Sequence, residues 1–161
     1  MEASHTNNGG QQDKQDIAPL IDALGDSDWA ICEKAATELS RLGSSIVPTL
    51  IEALHNQNIW HGAVEALVKI GQPAVVPLIQ VLNDPPIDTF AFDALSRIGE
   101  EAVFPLIDAL QDKHIGVRAW SADILGQIGD RRAIGALTQA LQDEHDAVRR
   151  SAAEALSKMT T

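Results

Sequence analysis

Apolar and polar positions along the chain fall into two short phrases that alternate. The first reads Leu-Ile-polar-small-Leu: Leu20-Ile21-Asp22-Ala23-Leu24, Leu50-Ile51-Glu52-Ala53-Leu54, Leu78-Ile79-Gln80-Val81-Leu82, Leu106-Ile107-Asp108-Ala109-Leu110 and the variant Leu137-Thr138-Gln139-Ala140-Leu141. Its starting residues are spaced by 30, 28, 28 and 31. The second phrase is Leu39-Ser40-Arg41-Leu42-Gly43, Leu67-Val68-Lys69-Ile70-Gly71, Leu95-Ser96-Arg97-Ile98-Gly99, Leu125-Gly126-Gln127-Ile128-Gly129 and Leu156-Ser157-Lys158-Met159-Thr160. A fixed period of this length is the signature of a repeat architecture, and each repeat holds two segments, A and B.

Both segments read as helices. Pro19, Pro48, Pro77 and Pro105 stand where the first turn of an A helix is expected, a place where the missing N–H costs nothing. The Gly closing four of the five B segments is the left-handed residue expected just past a helix C-terminus. Loop residues such as Asp26-Ser27-Asp28, Asn56-Gln57-Asn58 and Asp112-Lys113-His114 supply caps between A and B. Aligned on the closing residue, the B segments carry one stripe: Ile31, Ile59, Ile87, Val117, Val148; then Ala35, Ala63, Ala91, Ser121, Ala152; then Leu39, Leu67, Leu95, Leu125, Leu156. At 3.6 residues per turn these positions share a face, which one helix pair cannot bury alone. Neighbouring pairs must stack, so the fold expected is all-α, a right-handed α-solenoid of five helix pairs. The repeats run about 16–43, 45–71, 73–99, 101–129 and 131–160, with A helices starting near Asp16, Ser45, Pro73, Glu101 and Arg131.

Composition narrows function more than fold. The chain of 161 residues is 45% hydrophobic but only 4% aromatic, with no Tyr, which suits an aliphatic helical core and disfavours an all-β fold. Twelve Lys and Arg against 23 Asp and Glu give a formal charge of −11, a field that repels nucleic acid and anionic membrane surfaces. The acidity is uneven: residues 1–102 hold 5 basic and 15 acidic side chains, residues 103–161 hold 7 and 8. No apolar run reaches the ~18–20 residues of a membrane span. The single Cys32 and the absence of a secretory pattern point to a reducing, cytoplasmic setting. Residues 1–15, polar and without periodicity, are expected to be a disordered tail preceding a repeat domain of residues 16–161.

The last two repeats carry a more specific wording. Asp112, Val117-Arg118-Ala119, Leu125-Gly126-Gln127-Ile128-Gly129-Asp130-Arg131-Arg132-Ala133-Ile134 and the echo Asp143-Glu144-His145-Asp146-Ala147-Val148-Arg149 resemble the HEAT-like repeat of phycobilisome lyase subunits. The likeness covers residues 16–160; in the first three repeats the Val-Arg pair is replaced by Ile31-Cys32, Ile59-Trp60 and Ile87-Asp88. What the resemblance implies is a HEAT-like solenoid, used by this family in non-enzymatic scaffolds and also in bilin lyase subunits and phycobiliprotein assembly or turnover factors. A phycobiliprotein is therefore the alternative partner.

Candidate chemistry is thin. The His-Glu dipeptides of iron-binding relatives are missing, and His55, His61, His114 and His145 read as loop residues, so no metal or cofactor is expected. No nucleophile motif is present, and Cys32 reads as a small packed residue, so no catalytic residue is assigned and the chain is expected not to be an enzyme. Glu65, Asp93, Asp123 and Glu154 occupy one aligned B position; three are followed four residues later by Lys69, Arg97 and Lys158, the spacing of a solvated helix face. Arg118 and Arg149 are expected to pair between repeats with acids such as Asp88. Phe90 and Trp120 share an aligned position about 100° from the stripe, at the border of core and surface, with Trp60 on the other flank. The expected function is a scaffold binding another protein, with a basic surface, on the concave B-helix face through Trp60, Phe90 and Trp120 amid Glu65, Asp88, Asp93 and Asp123.

Overall fold

Apolar side chains three and four residues apart wind each B segment into a helix, and short A helices pair with them. The computed structural model describes residues 17–159, and the tail expected to be disordered lies outside them. The A layer holds α1 (17–23), α3 (Val47–Ala53), α5 (Gln72–Gln80), α7 (Val103–Ala109) and α9 (Ile134–Ala140). The B layer holds α2 (Trp29–Ser40), α4 (Trp60–Ile70), α6 (Asp88–Ile98), α8 (Ile115–Ile128) and α10 (Asp146–Met159). Each B helix packs on the next, from α2 to α10, while α3, α5 and α7 pack in series behind them and α3, α5, α7 and α9 each lie on their own B helix. The molecule is an all-α solenoid, with no strand among the described residues.

The core lies between the layers. The Ala and Leu rows of the B stripe are buried from α2 to α8, and Leu50, Leu78, Leu106 and Leu137 of the A phrase close it from the other side. Full burial of such a side chain is worth about 1.5–3 kcal/mol, so the stripe is the chief source of stability. Three members depart from expectation, Ile59 being one of them and only half-buried. Ile31 is 45% exposed while Ile87, Val117 and Val148 at the same position are buried, because that position faces the preceding repeat and α2 has none before it among the described residues. Leu156, at the other end, is half-buried. The same logic explains Lys34 and Glu38, which stand where α4 carries the buried Gly62 and Ala66. A Cβ at Gly62 would sit 2.5 Å from the carbonyl oxygen of Leu24, so glycine is what lets α4 approach the first repeat.

The A helices begin differently from the reading above. A 3-10 turn runs into α3 (Gly43–Ile46), α7 (Gly99–Ala102) and α9 (Arg131–Ala133), which places Pro48 and Pro105 at the start of the α-helix proper. In the third repeat the helix is continuous from Gln72, so Pro73 takes the first turn and Pro77 lies inside α5. The closing glycines all have positive φ. Gly129 is the left-handed cap expected, but Gly71 and Gly99 adopt ψ near −133° and −125°, because α4 and α6 turn into the next helical segment with no intervening linker. That region belongs to glycine almost alone.

Candidate protein-binding surface

Consecutive B helices present aromatic rings in pairs. Trp60 opens α4 and stacks on Phe90 of α6, ring centres 4.3 Å apart and planes 20° from parallel, and the His61 ring stacks on Trp60 at 3.4 Å. Phe92 of α6 meets Trp120 of α8 at 5.4 Å and a tilt of 60°. All four of these aromatic residues are half-buried, so each ring packs between repeats and keeps part of its surface in water. Phe90 and Trp120, aligned in sequence, do not meet; each has a different partner. Phe92 was missed by the sequence reading, although its aligned neighbours Val64 and Ala122 are buried residues facing the next repeat.

The carboxylates of this wall are less available than their spacing suggests. Arg97 donates to Glu65 at 2.7 Å across the repeat boundary and to Asp93 at 3.5 Å within α6. Lys69, expected beside Glu65, lies instead 3.8 Å from Glu33 of the first repeat. Asp88 accepts from the Thr89 amide at the start of α6. Asp123 accepts from the Ser151 hydroxyl at 3.1 Å, joining α8 to α10. The structure thus gathers Trp60 with Phe90 and Glu65 with Asp93, and leaves Asp88, Trp120 and Asp123 each with other partners.

Arg118 does not reach back to Asp88. It reaches forward, donating from Nε and Nη2 to the two carboxylate oxygens of Asp143 at 2.8 and 3.0 Å, and from Nη1 to the Asp112 carbonyl at 2.9 Å. Arg149 is bonded to the Asp143 carbonyl and the Asp146 carboxylate. Of the two, only Arg118 thus pairs between repeats; Arg149, expected to do the same, is held within its own repeat because its acceptors lie in the loop and first turn that lead into α10.

Burial pushes the Asp123 carboxyl above the usual carboxylate range, against the Ser151 hydrogen bond and helped by Glu154. A raised folded value means that ionised Asp123 weakens the fold above its titration range and that the penalty vanishes below its unfolded value, near pH 4. Asp123→Asn keeps an acceptor for Ser151 and removes the charge. Its melting temperature at pH 7 is expected to rise by about 1–2 °C, with the gap closing by about pH 4; an equal shift at both pH values in paired melting curves would contradict this.

No catalytic pair emerges at the remaining candidates. Cys32 is buried, its thiol directed at the Leu24 carbonyl at 3.2 Å, and burial, then Glu65, Asp26 and Glu33, push it up and away from thiolate. His114 bonds Asp112 of its own loop at 2.9 Å and His145 lies 3.3 Å from Glu144. Among the described residues no three His, Cys, Asp or Glu side chains converge as metal ligands, and no helix is long and apolar enough to cross a membrane.

Comparison with known families settles the repeat type: residues 17–96 and 103–161 match the model of HEAT repeats. The chain belongs to the HEAT-repeat family. Among solved structures these HEAT repeats are similar to a designed armadillo repeat protein in complex with the peptide (KR)4, at 19% identity over 97% of this chain and 87% of that one, with a TM-score of 0.43. They are similar also to an engineered protein at 19% identity, covering 89% of this chain and 79% of that one, with a TM-score of 0.41. No curated protein matches.

Proposed function

We propose that this HEAT-repeat protein is a non-enzymatic scaffold whose B-helix wall, over the second to fourth repeats, binds another protein. The observation that carries this reading is the pairing of half-exposed rings on three consecutive helices, Trp60 with Phe90 and Phe92 with Trp120. Stacked rings held by the core are rigid, so ordering them on binding costs little, which is why aromatic anchors make hot spots. Charge plays the smaller part, because Arg97 neutralises Glu65 and Asp93; Asp88 and the overall charge of −11 favour a basic partner chiefly in its approach. The bilin-handling alternative rests on the wording around Arg118 and Arg149, and the bonds to Asp143 and Asp146 account for those arginines as packing residues.

With a partner recovered by affinity capture from the native host, Trp120→Ala is expected to weaken binding by about 2 kcal/mol, mostly through faster dissociation. Surface plasmon resonance run beside thermal melts tests it. A large fall in melting temperature with unchanged affinity per folded molecule would assign the rings to packing alone. Incubation with free bilin is expected to leave the visible spectrum of the pigment unchanged; a protein-dependent shift would favour the phycobilisome role.

A further inference from the structure

The A layer carries a feature that the B-wall reading leaves unused. Between α1 and α3 runs a groove of about 530 Å³, floored by Ile21, Ala53 and Ile59 and walled by Pro48, Thr49 and Glu52. A second depression shares Ile21 and Thr49 with it and is bordered by Asp22. This volume falls within the range that takes a few bulky side chains. Ile21 and Ile59 are half-buried, so apolar surface stands open to water at the floor.

The rim has one sign. The charged residues lining the groove and its neighbouring depression, Glu52 and Asp22, are both acidic, and residues 17–28 and 43–59, which form α1, α3 and the adjoining loops, contain no Lys or Arg. Asp22 and Glu52 are exposed, and among the described residues no cation lies within salt-bridge distance of either, unlike Glu65 and Asp93 of the B wall. That charge excludes two occupants close at hand. A second copy would bring another net −11, and the chain's own residues 1–16 carry three carboxylates against one lysine, with only Met1 and Ala3 apolar. A complementary occupant has cations for the rim and aliphatic or aromatic side chains for the floor. The cleft lies between two neighbouring helices of one layer, the geometry into which the side-chain ridge of a third helix fits.

We propose that the α1–α3 groove is a second docking site, distinct from the B wall, for a basic amphipathic helix of another protein. Cations of that helix stand over Asp22 and Glu52, and its apolar side chains, one helical turn apart, descend between Thr49 and Ile21 onto Ala53 and Ile59. The site does not depend on the B-wall reading, and the chain would then hold one partner on each layer.

The test uses the full chain and a labelled synthetic peptide of Lys and Leu, with Leu spaced three and four residues apart. Two controls replace its Lys by Glu or its Leu by Ser. Fluorescence anisotropy is expected to show binding of the Lys-Leu peptide alone, and methyl NMR to move Ile21 and Ile59. Glu52→Lys should weaken binding about tenfold or more, Thr49→Trp should abolish it by filling the cleft, and Asp108→Asn at an exposed position of α7 should leave it unchanged. Thr49 and Glu52 are exposed, so melting curves of these variants should match the parent. The proposal is overturned by no binding, by equal binding of the Leu-free peptide, by equal affinity in Thr49→Trp, or by light scattering that shows a dimer dissolved by Thr49→Trp.

Discussion

Arg118→Ala is expected to destabilise the protein by about 3–5 kcal/mol, among the largest effects of any single polar residue in the solenoid. Arg118 is 7% exposed, and its guanidinium forks onto the equally sheltered Asp143 while holding the Asp112 and Lys113 carbonyls. Truncation leaves a desolvated carboxylate with no counter-charge, and that penalty exceeds what the pair itself contributes. Urea denaturation at pH 7 measures the loss, and the double variant with Asp143→Ala should cost clearly less than the two single losses added. The arginine's hydrogen bonds hold the Asp143 carboxyl below its usual range. A depressed folded value contributes stability above the unfolded value, near pH 4, that is lost as pH falls through the folded one, so the deficit of Arg118→Ala should shrink in acid. A deficit constant from pH 7 into the acid range would show that packing, not charge, is what Arg118 supplies.

Leu67→Ala and Leu95→Ala are each expected to cost about 2–5 kcal/mol. Both side chains are fully buried in α4 and α6, which have a B helix on either side, so the cavity left cannot collapse from one direction without opening the other. Leu156→Ala should cost markedly less, because that side chain is half-buried and α10 has a B-helix neighbour only in α8 among the described residues. Equal losses at Leu67 and Leu156 in matched denaturation curves would mean that the stack unfolds without regard to position.

Much of this architecture was legible because the chain states it repeatedly. Ala63, Ala91 and Ala152 or Leu67, Leu95 and Leu125 recur at one phase, and a helix has only one way to bury such a row. Legibility failed where the outcome depends on a neighbour rather than on the residue. Ile31 has the same identity as Ile87 and the opposite environment, since among the described residues only the second has a repeat before it. Arg118 was paired with the wrong acid because its partner lies in the loop ahead, 25 residues on, at a distance that spacing alone does not give. The rings were individually visible, but which ring meets which was not: the alignment joined Phe90 to Trp120, whereas helix stacking joins Phe90 to Trp60 and Phe92 to Trp120. The α1–α3 groove is lined from two repeats, by Ile21 on one side and Pro48, Thr49 and Glu52 on the other, and has no meaning until the helices are laid side by side.

Gly71 and Gly99 join helices directly, with no spare residue to take up a change in angle. In mechanical terms the second, third and fourth repeats form a stiff arc whose curvature is set by the dihedrals of two residues. The junction at Gly129 and Asp130 has an extended residue before its 3-10 turn and is the more compliant joint. A partner on the proposed aromatic wall would therefore meet a template of fixed radius, and elastic adjustment of the array falls to the joints outside that arc, at Arg41 and Leu42 before it and at Gly129 and Asp130 after it.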